Sequence, residues 1–172
     1  MKVTLCMEMS LNGMIARENG DEDFIPDSGF DNWLATIRDT GYVIWGRKTH
    51  DVVLSWKQTW QDALKDLKII VVSSDDKYLV DSRFIKVSGP QEALGVFAKL
   101  GAENAILSGG SELNSSFAKL GLIDEILVRV GSVVVGKGIP LFSSEPFDLT
   151  LENVDTKKLP NGEIELRYRV VK

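Results

Sequence analysis

Ala105-Ile106-Leu107-Ser108-Gly109-Gly110-Ser111-Glu112-Leu113 changes character twice within a few residues. Ala105–Leu107 reads as a strand, Ser108-Gly109-Gly110 as a turn, and Ser111–Leu120 as a helix closed by Gly121. Upstream, Tyr42–Trp45 follows the same plan: a short apolar strand ends at Gly46, and Arg47-Lys48-Thr49-His50 leads into a helix expected from Thr49 onward. Strand, glycine, helix, met twice, is the punctuation of an α/β chain whose ligands sit beyond the carboxyl ends of its strands.

Reading outward from these junctions, the alternation continues. Lys2–Met9 predicts a first strand with Val3, Leu5, Met7 and Met9 on one face. Ser10 to Gly29 is rich in turn residues, and Phe30–Thr40 predicts a helix that Gly41 stops. Leu67–Val72 and Phe84–Val87 predict strands, and Gly89-Pro90 opens a helix through Leu100. Glu125–Val135 reads as a longer strand. Phe147–Val154 and Ile164–Val171 flank Leu159-Pro160-Asn161-Gly162 and predict an antiparallel hairpin. The expected fold is one α/β domain over residues 1–172, three layers α/β/α, with a mostly parallel central sheet and an antiparallel C-terminal hairpin.

Composition narrows the chemistry. The chain has 172 residues, 20 Lys+Arg against 25 Asp+Glu, one Cys and one His. A lone cysteine excludes an internal disulfide framework and a Cys-rich zinc site, and a lone histidine argues against a multi-His metal site or a His-dependent triad. No metal is expected. The acidic balance argues against a dedicated nucleic-acid binder, and no apolar run approaches a bilayer span or a signal peptide. A soluble, cytoplasmic protein without membrane or nucleic-acid partners is expected. Gly131–Gly138 fits GxxxxGK in form, but its middle is a β-branched run and Pro140 forbids an immediate helix, so no P-loop is expected there. Cys6 reads as a small buried hydrophobe and His50 as helix surface.

Three junctions carry binding chemistry. At Gly46-Arg47-Lys48-Thr49, glycine permits close backbone approach, Thr49 offers a cap, and two cations stand beside the positive end of a helix, which suits a phosphate. At Gly109-Gly110-Ser111-Glu112-Leu113, paired glycines let main-chain N–H groups face a second phosphate. At Ser73-Ser74-Asp75-Asp76, hydroxyls suit a 2′-phosphate and carboxylates suit a ribose hydroxyl, so both cofactor types remain open on those residues. Trp33, Trp45, Trp56 and Trp60 are either a ring-binding wall or core.

Taken in order, Met9–Ala16, Val43–Thr49, Ile106–Leu113, Gly121–Ile126 and Gly136–Phe142 resemble the dihydrofolate reductase superfold. They are most similar to its branch of riboflavin-biosynthesis reductase C-terminal domains. The resemblance implies an NADPH-dependent, homodimeric reductase that passes hydride to a pteridine or a ribosylamino-pyrimidine, a small heterocyclic partner. It implies that Gly46, Arg47, Lys48 and Thr49 contact cofactor phosphates, Ser73 and Ser74 the 2′-phosphate, and Gly109, Gly110, Ser111, Glu112 and Leu113 the diphosphate. Ile15 and Ala16 would lie in the loop over the nicotinamide.

The reaction also needs a proton source. Asp31, near the start of the helix before the Gly46 strand, is one candidate, and Glu8, near the carboxyl end of the first strand, is the other. Asn12, Trp33, Leu34 and Arg129 are the candidate substrate contacts. Where many relatives carry Asp, this chain carries Asn12, and Gly131 stands where proline is frequent. An inactive nucleotide-binding protein on the same fold, or a reductase of an unrelated carbonyl compound, is the alternative.

Overall fold

The computed structural model describes residues 1–172. Its strands are β1 (Lys2–Ser10), β2 (Met14–Arg17), β3 (Tyr42–Gly46), β4 (Lys68–Val72), β5 (Phe84–Val87), β6 (Asn104–Leu107), β7 (Glu125–Gly131), β8 (Gly138–Pro140), β9 (Thr150–Lys158) and β10 (Ile164–Val171). Its helices are α1 (Asp27–Thr40), α2 (Arg47–Leu54), α3 (Gln58–Asp62), α4 (Pro90–Lys99) and α5 (Ser111–Lys119). One sheet runs β5-β4-β3-β6-β1-β7-β10-β9 and a second pairs β2 with β8. From β5 to β7 every pairing is parallel, and β10 and β9 add the antiparallel edge. The expected mixed architecture is therefore the one found.

Burial explains the layering. β1 alternates between two cores: Val3 and Leu5 face the side covered by Phe97 of α4 and Phe117 of α5, whereas Cys6 faces Trp33 and Ile37 of α1 and Val53 of α2. A strand buried on both faces belongs in the middle of a parallel sheet. α1 ends at Gly41, whose left-handed φ of 72° lets its N–H cap the Ile37 carbonyl. No helix is long and apolar enough to cross a membrane.

Departures from expectation begin with α1, which starts at Asp27 rather than Phe30. α2 begins at Arg47, with Gly46 rather than a side chain at its N-cap. β7 stops at Gly131 because its partner β1 stops opposite it at Ser10; beyond, the Val133 N–H turns back to the Gly131 carbonyl. β9 spans Thr150–Lys158, since the Leu159 N–H bonds the Glu163 carbonyl and carries pairing down to the turn, while Phe147 and Leu149 pack on the core instead. The turn-rich stretch after β1 contains β2, which crosses to β8 over Met14–Arg17.

β3 and β6 are neighbours, yet α2 leaves toward one face of the sheet and α5 toward the other. A crevice must open between helices that diverge in this way.

Candidate active site

The crevice is a cleft of about 1140 Å³, above the ~300–1,000 Å³ of ordinary small-molecule sites and roomy enough for two ligands side by side. Its floor is the meeting of the two glycine junctions. The Gly46 N–H donates to the Gly109 carbonyl at 2.8 Å. The Gly109–Gly110 peptide is cis, and Gly109 has a φ of +85°. A Cβ at Gly109 would lie 3.2 Å from Met7 Sδ, and one at Gly110 would lie 3.4 Å from Thr49 Oγ1. A side chain at Gly109 is thus disfavoured by its backbone and by Met7, whereas Gly110 has Thr49 at ordinary contact distance. Gly110 leaves the first turn of α5 without a side-chain cap, and Ser111 Oγ is buried there without a partner. Free donors at a helix start are an anion site.

Arg47 Nη1 pairs with Asp75 Oδ2 at 3.2 Å and Lys48 Nζ with Glu112 Oε1 at 2.8 Å, on the rim. These exposed pairs hold little energy, so an incoming phosphate can replace either carboxylate. Ser73 and Ser74 line the same end; Ser73 is buried and its Oγ accepts the Asp75 N–H at 3.2 Å.

At the opposite end the wall is aromatic. Phe30 stacks on Trp60 at 4.5 Å between centroids, and Trp56 stands edge-on to both Phe30 and Trp33. Trp33 is fixed by its Nε1–H, which donates to Ser108 Oγ at 2.8 Å. Behind this wall lies a buried charge network set by strand register. Glu8 of β1 stands opposite Arg129 of β7, which stands opposite Glu165 of β10. Arg129 donates from Nη1 to Glu8 Oε1 at 3.1 Å, from Nε to Glu165 Oε2 at 2.8 Å, and from Nη2 to Thr36 Oγ1 at 2.7 Å.

Glu8 lines the cleft, and its Oε2 is buried without a hydrogen-bond partner. Burial pushes the Glu8 carboxyl up to about 8, against the pull of Arg129 and with added repulsion from Glu163. The upward direction follows from the geometry, because the guanidinium is shared with Glu165 and one Glu8 oxygen has no donor. Nothing in the sequence marks Glu163, which is buried, or Glu22, a cleft residue pushed up to about 7 by burial and Asp21. Both stand among several acids in turn-rich segments.

Residues 1–164 match the RibD C-terminal domain family. The chain belongs to that family. YwjB of Bacillus subtilis strain 168, itself uncharacterised, is 31% identical over 175 residues that cover 97% of each chain. A Shewanella sp. PV-4 protein assigned to riboflavin biosynthesis superposes with a TM-score of 0.80 at 21% identity, covering 100% of both chains. The Thermotoga maritima diaminohydroxyphosphoribosylaminopyrimidine deaminase/5-amino-6-(5-phosphoribosylamino)uracil reductase superposes with a TM-score of 0.76 at 18% identity, over 99% of this chain and 56% of that one. The two structural likenesses carry the fold, and the family is of the reductase type.

In this RibD-type domain the candidate residues divide. Glu8, Ile15, Ala16, Trp33, Gly46, Arg47, Lys48, Thr49, Ser73, Ser74, Gly110, Ser111, Glu112 and Leu113 all line the cleft, and Gly109 forms its floor through the carbonyl described above. Four others lie outside it. Asp31 is exposed on α1, one position past Phe30 and so rotated away from the wall. Leu34 is buried in the core beneath α1. Asn12 clasps the loop after β7, accepting the Val135 N–H and donating to the Val135 carbonyl. Arg129 is buried with its guanidinium engaged on three sides, so it orients Glu8 rather than reaching the cleft. His50, expected on the surface, is buried: its ring packs on Phe84 and Nδ1 lies 2.6 Å from the Tyr78 hydroxyl.

Proposed function

We propose that this protein is an NADPH-dependent reductase that delivers hydride to a planar nitrogen heterocycle of the pteridine or aminopyrimidine type. The observation that carries the reading is the pair of fused glycine junctions, with the unpartnered Ser111 Oγ and open α5 N-terminus beside them. Gly110 presents no side chain where the first turn of α5 meets the cleft, so the cradle fits a diphosphate laid close to the backbone. Gly46, Thr49, Gly110 and Ser111 would hold that diphosphate, and Arg47 with Ser73 and Ser74 would take the 2′-phosphate. When bound, the nicotinamide supplies the hydride.

The chain's own residues do the rest. Phe30, Trp33, Trp56 and Trp60 offer a flat ring a face to lie against and exclude water from it. Arg129 holds Glu8 Oε1, which leaves Oε2 as the oxygen that carries a proton at neutral pH. Reduction of a ring C=N bond puts hydride on carbon and takes this proton onto nitrogen; Arg129 then pairs the resulting carboxylate.

The test is a titration with NADPH and, separately, NADH, followed by nicotinamide fluorescence. Tight NADPH binding with NADH at least tenfold weaker is expected, and binding of neither sets the reading aside. The homodimer expected from the resemblance is proposed to join along the edge strand β9, which leaves Leu151 and Val154 exposed. A monomeric mass by light scattering refutes it.

A further inference from the structure

We propose that Tyr78 is the positioning residue that sets the preference for NADPH over NADH. The inference rests on the reductase reading, because it takes Arg47, Ser73 and Ser74 as the groups that receive the 2′-phosphate. Those three line the cleft; Tyr78 stands outside the lining and acts through them.

One face of α2 grips this single side chain. Arg47, His50 and Asp51 stand at helical spacings of three and four, and each meets the tyrosine. The Tyr78 hydroxyl donates to Asp51 Oδ1 at 2.6 Å and lies 2.6 Å from His50 Nδ1. A phenol has one proton, and Asp51 takes it, so the network assigns Nδ1–H to His50, and the hydroxyl accepts there. His50 Nε2 is then a bare acceptor, buried without a partner. Burial holds the His50 imidazole below its ordinary value, which keeps that ring neutral. The Tyr78 ring backs the Arg47 guanidinium, whose carbon lies 5.7 Å from the ring centroid.

Tyr78 also closes the turn that carries Ser73 and Ser74. That turn is wound around Asp75, whose N–H donates to Ser73 Oγ at 3.2 Å and whose Oδ1 accepts the Lys77 N–H at 3.0 Å. The Asp75 carbonyl accepts the Tyr78 N–H at 3.0 Å and Lys86 Nζ at 2.7 Å. None of these bonds reaches α2. From Ser73 to Tyr78, the hydrogen bonds to that helix are the Arg47–Asp75 pair and those of the Tyr78 hydroxyl. The first is the exposed pair that an incoming phosphate replaces. Once it is gone, the Tyr78 hydroxyl still fastens the turn to α2, and the ring still backs the guanidinium. A 2′-phosphate needs the serine hydroxyls and Arg47 to converge on one group. NADH carries no charge there, and its diphosphate is held at the glycine junctions instead.

The test titrates the wild type, Tyr78→Phe, His50→Asn and His50→Ala with NADPH and NADH, followed by nicotinamide fluorescence. Tyr78→Phe keeps the ring and loses both hydroxyl bonds, so NADPH affinity is expected to fall at least fivefold and NADH affinity less than twofold. His50→Asn, whose amide N–H replaces the Nδ1 donor, is expected to keep the wild-type ratio of the two affinities within twofold. His50→Ala is expected to lower that ratio at least threefold. A merely structural role would weaken both dinucleotides alike, so an unchanged ratio in Tyr78→Phe overturns the inference and leaves the reductase reading standing. Should Tyr78→Phe not fold, equal ratios in the two His50 variants overturn it. Wild-type protein that binds both dinucleotides equally also overturns it, whereas binding of neither overturns the reductase reading and the inference with it.

Discussion

At the glycine end of the cleft, two short runs of consecutive residues, Gly46–Thr49 and Ser108–Ser111, supply backbone donors, hydroxyls and rim cations together. At the acid end the parts come from four distant elements: Glu8 from β1, Thr36 from α1, Arg129 from β7 and Glu165 from β10. The first end is local chemistry held by exposed or main-chain groups. The second is a set of buried charges whose positions depend on the register of three strands. The same kind of substitution should therefore have very different consequences at the two ends.

Removing the shared cation should cost most. Arg129→Ala leaves Glu165 without its counter-ion and Glu8 Oε1 without its donor in a largely buried site. Loss of one partner from a buried ion network costs ~3–5 kcal/mol, and urea denaturation should show a loss of that size. A loss under ~1 kcal/mol, the range of an exposed pair, would erase the distinction between the two ends.

Gly109→Val should come next and should couple stability to binding. Its φ of +85° disfavours a β-branched residue, and a Cβ there meets Met7 at 3.2 Å. Strain of this type costs ~1–3 kcal/mol, visible as a lower melting temperature. NADPH affinity should fall at least tenfold, because the Gly109 carbonyl that anchors the Gly46 N–H would shift. Unchanged NADPH affinity in a folded variant would separate the glycine floor from the cofactor.

What was legible in the sequence follows the same division. The strand–glycine–helix runs could be read because their chemistry is contiguous, and their helices and strands appear within two residues of the expected ends. The β2–β8 pair could not, since strands of four and three residues carry no periodicity; a Cβ at Gly138 would collide with the Ala16 carbonyl, and that closeness emerges only after folding. Arg129 could be seen as a charge interrupting an apolar strand, but its partners depend on register, which sequence spacing does not encode across more than a hundred residues. Asp31 had a plausible chain position and the wrong helical phase. Glu8 shares a face of β1 with Cys6, which brings it into the cleft lining, and the register gives it Arg129 as a partner.

Glu8 also gives the acid end a pH signature. Its carboxyl is held near 8 in the folded chain, above the ordinary value of 4.5. The folded state therefore keeps a proton through that interval while the unfolded chain releases it, so stability falls as pH rises from about 4.5 toward 8 and levels off above. Glu22, pushed up to about 7, adds a slope of the same sign over a narrower window. In Glu8→Gln the decline in melting temperature between pH 5 and pH 8 should be visibly shallower, though not abolished. If reductase activity is found, its decline with rising pH in the wild type should disappear along with most of the rate. An unchanged stability slope would mean that Glu8 is ionised throughout and paired by Arg129.

The smallest effect on stability belongs to the rim. Lys48 and Glu112 form an exposed pair at 2.8 Å between two separate helices. Such pairs are worth ~0–1 kcal/mol, so Lys48→Ala should shift the unfolding midpoint by less than ~0.5 kcal/mol, the usual range for surface changes. Its effect on ligand binding should be larger, because the cation is released from Glu112 when a phosphate arrives. NADPH affinity should fall several-fold at low salt, and the difference from wild type should shrink as ionic strength rises and screens the rim. Glu112→Ala should do the reverse, raising affinity at low salt by freeing the same ammonium group. Opposite signs from two partners of one pair would assign Lys48 to the cofactor; equal losses from both would make the pair a strut between α2 and α5.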